Sequence, residues 1–369
     1  MLTDKSLYQI ALTQIKGVGV AHARNLMQVL GDEEAIFKAD ARTLSSVPGI
    51  TCRLIDEIRH ADVLKRAEKE LQFVEKNNIR LLFFTDTDYP RRLTNCVDAP
   101  IVLYAKGDID FNREKVISIV GTRNATDYGQ KFCQQFIHDL SQQFTETLIV
   151  SGLAYGIDVC AHRVALQNML PTVGVLAHGL DRLYPAAHRK TAIEMLENGA
   201  LLTEFPSGTN PDRHNFVKRN RIVAGMADAV VVVESPEKGG SLITADIANS
   251  YYRDVFAVPG RATDKNSIGC NRLIADNKAA LLHDAKNFAE QLGWSHTAKH
   301  IKPKQRELFV NLSAQEEKIV NALNSAEGTQ VNILAIELDT PVSELFMTLL
   351  ELEMKNIVQA LPGGMYKLL

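Results

Sequence analysis

A chain of 369 residues, 46% hydrophobic and 23% charged, is long and apolar enough to bury more than one core, which excludes a disordered tail and points to several domains. The formal net charge of −3 excludes a uniformly basic coat for nucleic acid, so any anion-binding role has to rest on local clusters. Apolar runs such as Ala229 to Val233 are far shorter than a membrane span, the N-terminus has no basic-then-apolar leader, and Cys52, Cys96, Cys133, Cys160 and Cys270 form no C-x-x-C pair, so the expectation is a cytoplasmic chain with reduced thiols, no membrane partner and no metal.

Residues 1–75 read as a helical domain. Ile15-Lys16-Gly17-Val18-Gly19 and Val47-Pro48-Gly49-Ile50 each precede a helical stretch. That spacing fits paired helix-hairpin-helix (SAM-like) units, whose glycine turns can meet a phosphate; it fits equally a plain bundle with glycine at helix ends. Ten acids balance ten bases over residues 1–70, so charge gives this domain no electrostatic footprint for DNA.

Residues 76–294 form the expected core. Residues 79–112 carry a short strand-like run, Ile79 to Phe84, then turns at Tyr89-Pro90 and Ala99-Pro100, and read as a connector packed on it. Beyond about residue 113, the β-branched runs Val116 to Val120, Leu148 to Val150, Thr172 to Leu176, Leu201 to Thr203, Ala229 to Val233 and Val255 to Val258 alternate with helical stretches. This alternation predicts right-handed βαβ units and an α/β fold with a doubly wound, mostly parallel sheet. Ligands are then expected beyond the carboxyl ends of the strands.

Residues 295–312 carry Lys299, Lys302, Lys304 and Arg306 against a single glutamate and read as a basic linker. In residues 313–369, a capping box from Ser313 to Glu316 opens a helix to about Asn324, helices follow near Val331 to Glu337 and Val342 to Lys355, and the tail turns at Pro362-Gly363-Gly364 as a β-hairpin. Three helices and a hairpin predict a winged helix. Eight acidic and three basic residues from Ser313 to Leu369 repel phosphate, so a protein-interaction or regulatory role is expected of it.

The core's loops carry the chemistry. After the first strand, Gly121-Thr122-Arg123 joins a tight turn to a guanidinium fork that matches phosphate. After the second, Ser151-Gly152-Leu153-Ala154-Tyr155-Gly156-Ile157-Asp158 leaves the backbone bare. Lys190 closes a loop that starts at Gly179, Phe216-Val217-Lys218-Arg219-Asn220-Arg221 precedes the fifth strand, and Gly239-Gly240-Ser241 follows it. A dinucleotide enzyme needs one or two phosphate cradles, whereas a row of them beside Arg, Lys, Tyr and Phe suits a polymer of phosphates with stackable bases.

Taken in order, these stretches resemble the DprA/Smf family, the DNA-processing proteins of natural transformation. The resemblance rests on G-T-R at Gly121 to Arg123, S-G-x-A-x-G-I-D at Ser151 to Asp158 with Ala161-His162 after it, Tyr184-Pro185, F-x-x-R-N-R-I at Phe216 to Ile222, G-S-L-I-T-A at Gly240 to Ala245, and A-V-P-G at Ala257 to Gly260. It covers residues 115 to about 285, and the flanking regions resemble the family's optional domains. It implies a Rossmann-like core that binds and protects single-stranded DNA in a positively charged pocket, homodimerises through that core and loads the RecA recombinase, with no cofactor and no catalytic residue. Carried over by position, it makes Gly121, Thr122 and Arg123 the phosphate clamp, with the Ser151, Gly152, Ala154 and Gly156 loop beside it and Lys190 as a second basic contact. Gly240 and Ser241 join the DNA-binding set. Phe216 either stacks on a base or packs into the core, and Lys218, Arg219, Asn220 and Arg221 are either ligands or staples between loops. Tyr155 stands where the family often has a basic residue, which removes one phosphate contact and leaves a ring.

The rival reading is a nucleotide-processing hydrolase, because Gly239-Gly240-Ser241 echoes a nucleoside-phosphate motif and Asp158, Glu204 and Asp246 are candidate acids or bases. Asp158 fits better as a residue opening a helix, and His162 fits better as a packing residue than a metal ligand. No G-x-x-x-x-G-K-[ST] run or H-E-x-x-H pair occurs.

Overall fold

The computed structural model describes residues 4–59, 62–294, 312–323, 328–355, 357–361 and 363–369; the linker reading at 295–311, Asn324 and Pro362 fall outside them. The N-terminal helices are α1 (Asp4–Gln14), α2 (Val20–Leu30), α3 (Glu33–Lys38), α4 (Ala41–Ser45), α5 (Cys52–Ile58) and α6 (Asp62–Lys76). Asp32 and Asp40 start α3 and α4 by accepting from the Ala35 and Thr43 amides at 2.7 and 2.8 Å. Along α6, Val63, Ala67, Glu70 and Val74 recur at helical spacing and are buried. Glu70 is buried because it has partners: its carboxylate accepts from the Ser207 amide at 2.9 Å and hydroxyl at 2.5 Å, tying the helical region to the core.

The core elements follow as β1 (Arg80–Phe83), α7 (Arg91–Thr94), β2 (Val102–Lys106), β3 (Val116–Val120), α8 (Asp127–Gln143), β4 (Leu148–Ser151), α9 (Ile157–Gln167), β5 (Thr172–Val175), α10 (Arg189–Met195), β6 (Gly199–Thr203), α11 (Arg213–Gly225), β7 (Ala229–Val232), α12 (Gly240–Ser250), β8 (Asp254–Ala257), α13 (Ile268–Ala275), β9 (Ala280–Leu281) and α14 (Ala285–Gln291). The sheet order is β1-β2-β6-β5-β4-β3-β7-β8-β9, parallel from β6 to β9. β1 and β2 are antiparallel additions at one edge. β1 falls on the strand-like run at Ile79 to Phe84, and β2 corrects the reading of residues 79–112 as a connector. Val102 to Ala105 are all buried, so the run shows no alternation to mark it as a strand.

Both faces of the sheet are covered, and the period of two assigns side chains to each. Ile117, Ile119, Ala229 and Val231 pack under α8, α9 and α14, with Phe136, Phe288 and Trp294. Val116, Val120, Val230 and Val232 face the other way, into a core that runs without a break to Ile10, Leu26 and Val74 of the N-terminal helices. Arg92 of α7 lies in this interior. Its guanidinium holds Asp228 through Nε at 2.6 Å and Nη2 at 2.8 Å and donates to the Arg113 and Glu114 carbonyls. Asp228 also accepts from the Val116 amide at 3.0 Å, so the pair fixes the starts of β3 and β7.

The C-terminal unit comprises α15 (Ala314–Ala322), β10 (Thr329–Gln330), α16 (Val331–Glu337), α17 (Val342–Met354), β11 (Val358–Leu361) and β12 (Met365–Leu368), with strand order β10-β12-β11. Both bonds of the Ser313–Glu316 capping box are formed, and Leu334, Leu345, Leu349, Leu352 and Val358 make a small separate core. This is the winged helix that the sequence predicts.

Candidate nucleic-acid interface

The parallel part of the sheet starts at β3, winds outward through β4, β5 and β6, and then crosses to β7 on the other side of β3. The connections after β3 and β7 therefore leave in opposite directions, and a cleft opens between them at the carboxyl ends of the strands. It encloses about 940 Å³.

Gly121, Thr122 and Arg123 form one wall. The loop is held from below by Glu234, whose carbonyl accepts from the Thr122 amide at 2.8 Å and whose buried carboxylate accepts from the Thr126 amide at 2.8 Å and hydroxyl at 2.5 Å. Arg123 is exposed, in no ion pair among the described residues, and its guanidinium carbon lies 5.0 Å from the centre of the Phe216 ring. Phe216, half-buried on α11, also meets Tyr184 edge-on at 5.9 Å.

Gly152 and Ala154 contribute the second loop. A Cβ on Gly152 would stand 2.1 Å from Nη1 of Arg219, so only glycine lets that guanidinium pass beneath the loop. There Arg219 donates to the Gly152 carbonyl at 2.6 Å and to the Val175 carbonyl. Gly156, at φ 77°, packs where a Cβ would lie 2.1 Å from the Thr122 carbonyl, which locks this loop to the first. Asp158, the second residue of α9, accepts from the Ala154 amide at 3.4 Å. Burial pushes its carboxyl up, and the nearby Arg219 and Arg123 charges oppose that rise. The same burial lowers Arg219 to about 10, while Asp158 favours its charged form.

The third wall is Lys238, Gly239, Gly240 and Ser241. α12 begins here with no side-chain cap, and the space beside the Gly240 Cα is open for 4 Å. A helix start without a capping side chain offers amide donors and the positive end of the helix dipole to an anion. Asn220 reaches across from α11 to the Gly240 carbonyl at 3.4 Å. The Ser241 hydroxyl is spent inside, on Ser235 at 2.9 Å.

The cleft thus gathers Gly121, Thr122, Arg123, Gly152, Ala154, Phe216, Arg219, Asn220, Gly240 and Ser241 from the sequence-based set. Several roles need correction. Ser151 is fully buried in β4 and gives its hydroxyl to the Ile119 carbonyl at 2.6 Å, so it holds strands together below the cleft. Gly156 sits in the turn behind the wall, and its function is the interlock just described. Arg219 is 4% exposed and works from the floor as a staple. Lys218 and Arg221 project from the opposite side of α11 onto Glu204, at 3.2 and 2.5 Å, because positions one and two turns apart on a helix share a face and these do not share that of Phe216. Glu204, a candidate acid, is occupied by that pairing outside the cleft. Lys190 lies exposed on α10, beside Glu194 at 3.8 Å, and is not among the cleft's lining. His162 is wholly buried against the Thr172 hydroxyl at 2.7 Å, and burial lowers it to about 3.

Among the side chains that line the cleft and that sequence reasoning left out of the set are Tyr184, Arg213 and Lys238. Arg213 and Lys238 are exposed and in no ion pair among the described residues. The available signals were the base immediately before Gly239-Gly240 and the first residue of the α11 helix. Three exposed cations, an uncapped helix start and an aromatic pair can together hold phosphates and stack on unpaired bases.

Residues 80–293 match the family model of DNA recombination-mediator protein A, and residues 303–364 match that of the DprA winged helix domain. Protein Smf of Synechocystis sp. is 36% identical over 297 residues, covering 78% of this chain and 73% of that one. The X-ray structure of DNA processing protein A from Streptococcus pneumoniae superposes with a TM-score of 0.64 at 28% identity, over 79% of this chain and 98% of that one. The DNA processing protein A of Helicobacter pylori, solved to study its single-stranded DNA binding mode, superposes with a TM-score of 0.53 at 28% identity, over 58% and 96% respectively. Among the described residues no helix is long and apolar enough to cross a membrane.

Proposed function

Because this chain belongs to the DNA recombination-mediator protein A family, we propose that its cleft holds the backbone of single-stranded DNA and presents the strand to the RecA recombinase without altering it covalently. The observation that carries this reading is the Arg123 guanidinium stacked on Phe216 in the same cleft as the uncapped start of α12. A flat cation-on-ring surface suits an unpaired base or its phosphate, and a duplex keeps its base faces hidden. In the same reading the core pairs with a second copy of itself, and the chain works in the cytoplasm.

Fluorescence anisotropy with oligothymidine tests the reading. Tight binding at low salt is expected, weaker binding to duplex, and an affinity that falls with salt by a slope of about 0.7 per phosphate neutralised. Arg123→Ala is expected to weaken binding to every sequence and to lower that slope by about 0.7. An unchanged slope would mean that Arg123 touches no phosphate. Release of free base from a nucleoside monophosphate would instead support the hydrolase.

The acidic winged helix is assigned a role other than strand binding. A chain ending at Trp294 is therefore expected to keep its oligothymidine affinity within about twofold. A larger loss in the same anisotropy assay would place the C-terminal unit on the DNA.

A further inference from the structure

In a winged helix that binds duplex DNA, the third helix enters the major groove with polar and basic side chains outward. Here that helix is α17, and it contains no lysine or arginine but carries Glu344, Glu351 and Glu353. Its inner face, Leu345, Leu349 and Leu352, fills the small core. Its outer face exposes Met347 at 64%, Leu350 at 53% and Met354 at 78%. Spacings of three and four residues align these side chains in one stripe. Phe346, packed edge-on to Tyr366 at 6.5 Å, widens it. At about 100° per residue, Glu344 and Glu351 fall along one border of the stripe and Glu353 along the other.

A contiguous apolar ridge on a surface marks a place where something docks. The glutamate borders say what fits. Nucleic acid and an anionic lipid surface are repelled by them, and a second α17 would set carboxylates against carboxylates. We propose that the outer face of α17 is a docking site for a basic amphipathic helix of a partner protein, with the partner's apolar side chains against Met347, Leu350 and Met354 and its lysines or arginines against Glu344, Glu351 and Glu353. Helix-on-helix recognition of this kind reads apolar anchors at helical spacing and takes its selectivity from the flanking charges. The site is separate from the cleft and does not depend on the strand-binding reading.

The test uses the full chain and three fluorescein-labelled synthetic peptides. The first has leucine and lysine at amphipathic helical spacing; the second has glutamate for each lysine; the third is a scrambled version of the first. The first peptide alone is expected to bind, with an affinity that falls as salt is raised. Leu350→Ser should weaken it by about tenfold, and Glu351→Lys should weaken it several-fold and flatten its salt dependence. Both variants should keep the parent Tm and oligothymidine affinity, which separates loss of docking from loss of fold. Equal binding of the scrambled or acidic peptide, or undiminished binding to Leu350→Ser, would overturn the proposal. So would a sedimenting dimer that Leu350→Ser breaks, since the ridge would then be occupied by a second copy.

Discussion

Replacement of Arg92 by leucine is expected to lower the unfolding free energy by about 3–5 kcal/mol, the usual cost of leaving one buried member of an ion pair without the other. Arg92 and Asp228 are 6% and 9% exposed. Without the guanidinium, the Asp228 carboxylate keeps only the Val116 amide, and the Arg113 and Glu114 carbonyls lose their donor. The Arg92→Leu, Asp228→Leu double variant should recover part of the loss, because the stranded charge is gone. Urea denaturation of the parent, both single variants and the double variant gives the cycle. A loss below about 1 kcal/mol for Arg92→Leu would show that water reaches Asp228 and that the pair is no staple.

Arg219→Leu is expected to cost a similar amount, about 3–5 kcal/mol, and its cost should depend on pH. Burial lifts the folded-state pKa of Asp158 above its unfolded value. Between those two values the folded state binds more protons than the unfolded one, so stability falls as pH rises through that window. Arg219 opposes the lift, and its removal widens the window upward. The variant should therefore lose more stability at pH 8 than at pH 5, the direction in which Asp158 takes up its proton. Adding Asp158→Asn should remove most of this dependence. Equal urea midpoint losses at both pH values would mean that the Gly152 and Val175 carbonyls, and not Asp158, are what Arg219 serves.

The core was readable because its central strands are buried on both faces. Such strands appear as short β-branched runs, and Val116 to Val120 occupies the same residues in the structure as in the sequence-based reading. The winged helix was readable through its capping box and its hairpin glycines. β2 was hidden by Pro100 before it and by the absence of alternation. The two-residue strands β9 and β10 carry no pattern of their own.

At the site, motif spacing picked out loops that the fold gathers around one cleft but could not tell which side of each residue faces it. Lys218 and Arg221 are neighbours of Phe216 in sequence and point the other way around α11. The glycines at 152 and 156 looked like openings for phosphate. The missing Cβ atoms are instead filled by Arg219 and the Thr122 carbonyl, while Gly240 stands open. Sequence registers that a side chain is absent; only packing shows what takes its place.

The pairing of β2 has a consequence for how the molecule is made. Tyr104 is paired in register with Leu81 on one side and Thr203 on the other, so β2 emerges from the ribosome beside β1 but long before β6, its second neighbour, exists. Until β6 is synthesised, the second edge of Val102 to Ala105 stays unpaired on a growing chain, and such edges invite aggregation. A nascent chain halted between Lys106 and Gly199 is therefore expected to aggregate more readily than one that has completed β6.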